Sequence, residues 1–209
     1  MLLVTIEIRK CKASDVAEVV PLMYSSGPES FRYVFSVDYE EQAVDFLHHA
    51  FCCGDGEFGY KDHQVVIEGG CIIALVGRRI AKDNLKYTMA AIKQIFGYYG
   101  FYKGVGVLVR GLRFEAIVAP PVKDVVCLHN LAVSLEQRGA GIGAQLIKSF
   151  LTQEKERGSA VVSLNVAETN PRAKVLYEKL GFVVKNKKVG RLSGKFGRGV
   201  SHEYMEITL

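Results

Sequence analysis

Residues 131–146 read LAVSLEQRGAGIGAQL, and this stretch decides the fold. The apolar run that ends at Val133 predicts a strand, a short polar link follows, and three glycines then alternate with small residues ahead of a helical pattern. These glycines are Gly139, Gly141 and Gly143. Glycines let backbone N–H groups approach an anion closely, and a helix N-terminus adds its positive dipole. The stretch therefore predicts a strand–loop–helix unit that binds a diphosphate.

Length and composition limit the class of protein. The chain has 209 residues, and 49% of them are hydrophobic, which is enough to form the core of one domain. Its start alternates apolar and polar residues after Val4, as a first strand does and a signal peptide does not, and its apolar runs are shorter than a membrane span. The five cysteines are odd in number and lack zinc-ligand spacing, which indicates reduced cysteines in the cytoplasm. We therefore expect a cytoplasmic protein without metal or membrane association.

The net charge of +5 is compatible with an anionic ligand. It is too small and too dispersed along the chain to indicate nucleic acid, so we expect no nucleic-acid partner.

The first part of the chain predicts a strand, two helices and a hairpin. The strand covers Thr5 to Arg9, and the first helix follows Ser14 and ends at Gly27-Pro28. The second helix runs from Asp38 to about Cys53. The hairpin joins residues 64–67 to residues 71–78.

The rest of the chain predicts alternating strands and helices. A helix over 83–96 is broken by the Gly- and Tyr-rich residues 97–104, and a second helix is favoured for 105–118. The following elements are a strand over 125–133, a helix from Ile142 to Gly158, a strand over 160–166, a helix from Asn170 to Gly181, a strand over 182–184, a basic loop or hairpin connection over 185–199, and a strand over 202–209. This order predicts a mixed α/β sheet.

One interpretation of the glycine stretch is a dinucleotide-binding fold. Residues 139–144 match G-x-G-x-x-G/A, and Glu168 follows the next strand, where an acid could contact a ribose. However, about five residues separate Val133 from Gly139, whereas the fingerprint places its first glycine at the strand end. The remaining chain is also too short for further βαβ repeats, and the helix from Asn170 stays unexplained.

The other interpretation is a coenzyme A pyrophosphate site. Residues 138–143, RGAGIG, read as R-x-x-G-x-G, and with the preceding LAV they resemble the acetyl-CoA motif of the GNAT superfamily of N-acetyltransferases. Residues 170–182, NPRAKVLYEKLGF, resemble the next motif of that superfamily, N-x-x-A-x-x-L-Y-E-K-x-G-F. The resemblance covers residues 125–184 closely and the opening strand and helices loosely.

This resemblance implies a fold and a domain organisation. It implies a mixed α/β fold with a mostly antiparallel central sheet, splayed central strands and flanking helices. Residues 1–209 are then one acetyltransferase domain, with a helical insertion at about 79–124.

The resemblance also implies a cofactor site. It implies acetyl-CoA as co-substrate and no metal. The strand residues Leu131, Ala132 and Val133 would pair with the pantetheine arm, and a backbone N–H near Ala132 or Val133 could polarise the thioester carbonyl. The expected pyrophosphate contacts are Arg138, Gly139, Ala140, Gly141, Ile142, Gly143 and Ala144.

The helix after Asn170 adds a geometric prediction. Its spacing places Asn170, Ala173 or Lys174, and Tyr177 on one face, with Leu176 and Leu180 on the neighbouring face in the core. In the resembled family this tyrosine protonates the leaving thiolate and the asparagine contacts the cofactor. The resemblance thus implies Tyr177 as the acid and Asn170 and Ala173 as cofactor contacts.

The base that removes the proton of the acceptor amine stays open. His129 and Glu168 lie near the ends of the two splayed strands, but a structural histidine, a loop carboxylate and proton loss to water are alternatives. Phe31, Tyr33 and Phe35 alternate along the chain and are expected to line the acceptor groove.

We expect an N-acetyltransferase in which a primary amine attacks the thioester directly in a ternary complex. The acceptor is a small-molecule amine or a peptide or protein amine, and the resemblance makes a homodimer plausible. The alternatives are a noncatalytic acyl-CoA-binding or sensor domain on the same fold and a dinucleotide-binding oxidoreductase.

Overall fold

The computed structural model describes residues 6–209, so Thr5, the first residue of the predicted opening strand, lies outside the described residues. The strands are β1 (Ile6–Lys10), β2 (His63–Glu68), β3 (Cys71–Ile80), β4 (Val125–Val133), β5 (Val161–Ala167), β6 (Val183–Lys188), β7 (Leu192–Ser193), β8 (Arg198–Gly199) and β9 (His202–Thr208). The helices are α1 (Val16–Ser25), α2 (Pro28–Phe35), α3 (Gln42–Cys53), α4 (Asn84–Glu115), α5 (Ile142–Glu156) and α6 (Pro171–Lys179).

The main sheet has seven strands in the order β1-β2-β3-β4-β5-β9-β6. Among residues 6–209, the only parallel pair of this sheet is β4 with β5; the other neighbours are antiparallel. This pair is joined only from Val125–Val161 to Cys127–Ser163, and beyond it the strands separate. The predicted mostly antiparallel sheet with splayed central strands is confirmed. A doubly wound dinucleotide fold needs consecutive parallel strands, so the topology excludes that alternative.

Helices cover both faces of the sheet. Because successive strand residues point to opposite faces, Val65 packs into a core with α1, α2 and α3, whereas Val66 packs into a second core with α5. Tyr177 of α6 belongs to the second core. Within residues 6–209, no helix is long and apolar enough to span a membrane.

The segment after Gly27 is helical. Helix α1 ends at Ser25, close to the predicted Gly27-Pro28 stop, but Pro28 then begins α2 because a proline fits the first position of a helix. Phe31 and Phe35 are therefore one turn apart on one face. All three side chains are buried, and Phe31 and Phe35 line the central cavity whereas Tyr33 does not.

The predicted break within residues 97–104 is confirmed, but it is confined to one residue. The element α4 consists of two helices joined at a kink, where Gly100 leaves the helical conformation with φ 69° and ψ −179°. The rings of Phe96 and Phe101 stack across the kink at 5.8 Å. A Cβ at Gly104 would lie 2.7 Å from the Phe96 ring, so glycine lets the two halves of α4 pack closely.

The basic connection near the end of the chain is more regular than predicted. Strand β6 extends to Lys188 because it pairs with β9 as far as His202. Strands β7 and β8 form a short separate ribbon. The sequence missed this because Lys-rich residues 185–188 have no apolar alternation to mark a strand, and all are exposed.

Candidate active site

The splay between β4 and β5 opens a cleft at the centre of the sheet. On β3, Leu75 faces Ala132 and Gly77 faces His129, so β4 carries one extra residue between these two pairs. Asn130 lies in this bulge in the left-handed conformation, with φ 49°. A bulge bends its strand, and here it occurs where β4 parts from β5. The backbone edges of both strands beyond Cys127 and Ser163 therefore face the cleft without pairing to each other.

The glycine loop lies at the end of β4. Gly139 and Gly141 have φ values of 90° and 84°, and a Cβ on either would meet no heavy atom within 4 Å. Helix α5 begins at Ile142 with Gly141 as its N-cap. Its first N–H groups have no carbonyl one turn earlier to bond. The loop therefore presents open backbone amides at a positive helix end, a geometry that suits a diphosphate.

Gly143 and Arg138 serve the packing of this loop. A Cβ on Gly143 would lie 3.6 Å from Val133 Cγ2 and 3.7 Å from Leu176 Cδ2, so α5 approaches both β4 and α6 here. Nε of Arg138 donates to the Val133 carbonyl at 3.1 Å. This bond ties the link between β4 and α5 to the strand end, and the predicted contact of Arg138 with pyrophosphate stays a prediction.

Helix α6 forms one wall of the cleft. Asn170 caps the helix by accepting from the Ala173 N–H at 3.2 Å, and Pro171 occupies the first turn, which confirms the predicted start. Asn170, Ala173 and Tyr177 line the same cavity, in agreement with their predicted common face. Leu176 and Leu180 are partly buried against the core.

Tyr177 is the buried titratable group of this wall. It is 7% exposed, and its ring lies edge-on to Phe182 at 6.0 Å. Burial raises the pKa of the Tyr177 phenol to about 12, since the phenolate loses its hydration there. The hydroxyl therefore keeps its proton at neutral pH and can donate it to a base formed in the cavity.

The cleft opens into a cavity of about 290 Å³ that reaches from Tyr177 to α2 and the second half of α4. We call its apolar end the α2–α4 chamber, which is lined by Phe31, Val34, Phe35, Ile95, Leu108, Gly111, Leu112 and Phe114. Polar side chains that line the same cavity include Glu57, Arg79, Glu115, His129, Asn130, Asn165 and His202.

His129 lines the cavity as part of a buried pair of imidazoles. Its ring lies 5.2 Å from that of His63, and a Cβ at Gly77 would be 2.5 Å from His129, so glycine makes room for both rings. His63 Nδ1 donates to the Gly59 carbonyl at 2.8 Å, which leaves Nε2 to accept from Asn130 at 3.2 Å. Burial lowers the pKa of both histidines to about 3, so both rings are neutral near pH 7.

The ring nitrogens of His129 have no partner. Within residues 6–209, neither Nδ1 nor Nε2 makes a hydrogen bond, and both are buried. Buried polar atoms are normally paired, and here both nitrogens are enclosed, with Nε2 beside Gly77 of β3 and the ring beside His63.

Glu168 lies elsewhere. Its carboxylate is exposed, accepts from Lys187 Nζ at 3.0 Å and does not line the cavity. The hydrogen bond from Lys187 lowers the pKa of the Glu168 carboxyl. The structure thus brings Tyr177 and His129 to one cavity and leaves Glu168 outside it.

Three charged side chains of the cavity were not anticipated from the sequence. Arg79 Nη1 bonds Glu57 Oε2 at 2.9 Å, and the Tyr87 ring lies 5.0 Å from the guanidinium. Glu115, in the last turn of α4, forms no ion pair with any residue from 6 to 209. Burial and the negative charge of Glu57 raise the pKa of the Glu115 carboxyl. These residues come from separate elements, so no local motif marks them.

Comparison with known proteins agrees with this geometry. Residues 60–184, more than half of the chain, match the family model described as acetyltransferase (GNAT) domain. The L-methionine sulfoximine/L-methionine sulfone acetyltransferase of Pseudomonas aeruginosa is 27% identical over 81 residues, which are 39% of this chain and 46% of that protein. The [ribosomal protein bS18]-alanine N-acetyltransferase of Haemophilus influenzae is 37% identical over 65 residues, 31% of this chain and 44% of that protein. The matches span less than half the length of these curated relatives.

Solved structures share the fold across nearly the whole chain. An N-acetyltransferase from Staphylococcus aureus Mu50 aligns with a TM-score of 0.71 and 16% identity, covering 96% of this chain and 100% of that one. The ribosomal-protein-S18-alanine N-acetyltransferase from Escherichia coli aligns with a TM-score of 0.54 and 17% identity, covering 98% and 94%. At these identities the likeness establishes the fold alone.

Proposed function

The chain belongs to the GNAT acetyltransferase family, and on that premise we propose that it is an N-acetyltransferase that moves an acetyl group from acetyl-CoA to a primary amine. One observation carries this proposal: the splayed ends of β4 and β5 line a cavity that has Tyr177 in its wall, and the glycine loop follows β4 directly. The organisation as one domain with an insertion at about 79–124 is part of the same proposal.

The residues around the cleft suit acetyl-CoA. The open amides at Gly139, Gly141 and Ile142 suit its diphosphate. The unpaired edge of β4 at residues 131–133 suits the amides of the pantetheine arm, which can bond like a neighbouring strand. This arrangement would bring the thioester to the point where the cleft meets the cavity.

Tyr177 is proposed to act as the acid. Amine attack on the thioester carbonyl forms the amide bond and breaks the carbon–sulfur bond, so a thiolate leaves. The Tyr177 hydroxyl, kept protonated by its raised pKa, donates its proton to that sulfur. A backbone N–H near Ala132 or Val133 is proposed to stabilise the negative charge that develops on the carbonyl oxygen.

His129 is the better placed of the two candidate bases. It lines the cavity with free ring nitrogens, whereas Glu168 is ion-paired outside it. Because its pKa is lowered to about 3, His129 is a weak base that would pass the amine proton on to water rather than hold it.

The acceptor class and the assembly are proposals of the same kind. A small-molecule amine or a peptide amine fits the family, since the named relatives act on methionine sulfoximine or on a ribosomal-protein alanine. A homodimer is proposed on family resemblance alone.

The test is release of free CoA thiol by the purified protein with acetyl-CoA and a panel of primary amines. We expect amine-dependent thiol release well above the rate without amine, together with formation of the N-acetyl product by mass spectrometry. Binding of acetyl-CoA without turnover of any amine would instead favour a noncatalytic acyl-CoA-binding or sensor domain.

A further inference from the structure

We propose that the α2–α4 chamber selects a small primary amine with an apolar body, and that Glu115, assisted by Glu57, binds its ammonium group. This inference rests on the proposed function and goes beyond it by naming the acceptor class and two residues that recognise it.

The side chains that line the chamber are mostly aromatic or aliphatic, so the chamber suits an apolar group. The rings of Phe35 and Phe46 stack at 4.3 Å, and Phe58 lies edge-on to Phe31 and Phe35 at 5.8 and 5.6 Å. All four side chains line the cavity. An aliphatic or aromatic body would be removed from water here, as in most small-molecule sites.

The second half of α4 forms one side of the chamber. Arg110 Nε donates to the Val34 carbonyl at 3.0 Å, and the Tyr99 hydroxyl bonds the Phe35 carbonyl, so α4 is fixed on the C-terminal end of α2. The space between these two fixed helices suits a compact molecule better than several residues of polypeptide. We therefore place a small amine, and not a protein N-terminus, at the end of the cleft.

The charge of the cavity fits a cation. Of its three charged side chains, Arg79 and Glu57 pair with each other, and Glu115 has no ion pair with residues 6–209. His129 and His202 add no charge near pH 7, because burial lowers the pKa of both. The charged side chains that line the cavity therefore sum to one negative charge, and Glu115 carries it beside the chamber residue Phe114.

A second observation points to a polar ligand at the same place. The buried ring nitrogens of His129 lack a hydrogen-bond partner within the described chain, and such atoms cost free energy unless a ligand or water satisfies them. His129 lines the cavity, and a small rotation of its ring toward the cavity would let the N–H group of an amine supply the missing donor. Its apolar body would extend toward Phe31 and Phe35, and its charge would face Glu115.

Filling the chamber tests its role. Gly111 lines the chamber, and a Cβ there would lie 3.9 Å from Val34 Cγ1, so Gly111→Leu occupies the space without strain at the first atom. Gly106→Leu is the matched control, because Gly106 is exposed on the same helix and does not line the cavity. We expect Gly111→Leu to lower kcat/KM for phenethylamine by about tenfold or more while leaving acetyl-CoA binding unchanged. Gly106→Leu should change neither.

Removing the charge tests recognition of the ammonium group. We expect Glu115→Gln to raise KM for phenethylamine by about tenfold with kcat nearly unchanged, the size expected for a lost charged hydrogen bond. Glu156→Gln removes the same charge from the exposed end of α5 and should have no effect.

The outcomes separate this inference from the proposed function. Faster turnover of an alanine-terminated peptide than of phenethylamine would overturn the inference and leave the N-acetyltransferase intact. If Gly111→Leu impaired only the use of octanoyl-CoA, the chamber would hold the acyl chain of the donor, and the inference would again be wrong. Absence of acetyl-CoA binding would refute the proposed function itself, and the inference with it.

Discussion

Burial of single residues determines the chemistry available in the cavity. The phenol of Tyr177 and the imidazole of His129 both lose hydration, which raises the pKa of the first to about 12 and lowers that of the second to about 3. Both side chains are therefore neutral near pH 7. The phenol keeps its proton at that pH, and the neutral imidazole can accept a hydrogen bond.

Replacing Tyr177 with Phe should remove the proposed acid and retain the ring packing on Phe182. We expect kcat to fall by about 10²-fold, the lower end for loss of a general acid, with the Kd for acetyl-CoA unchanged. Steady-state thiol release and calorimetry measure the two quantities. Tyr102→Phe is the control, because Tyr102 is 92% exposed. An unchanged kcat in Tyr177→Phe would mean that another group protonates the thiolate.

Single residues also show where sequence reasoning ends. The spacing of Asn170, Ala173 and Tyr177 within one helix was sufficient to predict their shared face. Strand alternation could not decide which side of β4 His129 occupies, because its surroundings come from His63 and Gly77, far away in the chain. Likewise, Glu57 and Glu115 meet only in the folded molecule.

At the scale of elements, α4 shows that tertiary packing can keep a segment with low intrinsic helix propensity helical up to a one-residue kink. Its glycines and tyrosines around residue 100 resemble a loop, yet the chain stays helical on both sides of Gly100. Tyr99 and Val107 are buried against α2 and α3, and this packing compensates for poor helix formers. By contrast, α6 was predictable because its cap and its proline act within one turn.

The kink in α4 can be tested with two alanine substitutions. At Gly100, φ is 69° with ψ near 180°, a conformation that a side chain strains by about 1–3 kcal/mol, so Gly100→Ala should lower the free energy of unfolding by that amount. Gly97 lies three residues earlier in helical conformation. Gly97→Ala should therefore raise the free energy of unfolding by about 0.5–1 kcal/mol. Urea denaturation gives both values. Equal effects of the two substitutions would contradict the kink.

At the scale of the whole molecule, one buried carboxylate joins the two sides of the second core. Glu154 of α5 is fully buried and accepts from Arg78 of β3 at 2.7 and 2.9 Å. Arg157 and Ser159 also bond it. Burial alone opposes its charge, but these bonds outweigh that effect and lower the pKa of the Glu154 carboxyl.

Stability should therefore depend on Glu154 at acid pH. Because its pKa is lower in the folded than in the unfolded chain, its contribution is complete above about pH 4.3 and is lost as the pH falls through the folded pKa. We expect Glu154→Gln to lower the free energy of unfolding at pH 7 by about 1.5–3 kcal/mol. The free energy of unfolding of this variant should also decrease less than that of the unmodified protein as the pH falls. Urea denaturation from pH 7 to pH 3 measures this, with exposed Glu156→Gln as control. If the free energy of unfolding decreased with falling pH as steeply in Glu154→Gln as in the unmodified protein, the stabilising role of Glu154 would be contradicted.

The mostly antiparallel sheet with splayed central strands was expected because the two motifs, in their order, resemble those of a known family. The chamber did not follow, because it is formed by α2 and α4, outside the motifs, whose packing depends on contacts distant in sequence.

The most direct test of the coenzyme A site is a calorimetric titration with acetyl-CoA, CoA and NAD. Gly141→Glu places a carboxylate in the open space of the loop. Gly158→Glu is the matched control, because Gly158 follows the other end of α5, has φ 76° and would also place its Cβ in open space. We expect acetyl-CoA and CoA, but not NAD, to bind the unmodified protein and the Gly158→Glu variant, and Gly141→Glu to abolish binding. Failure of the unmodified protein to bind CoA, or undiminished binding by Gly141→Glu, would contradict the proposed site.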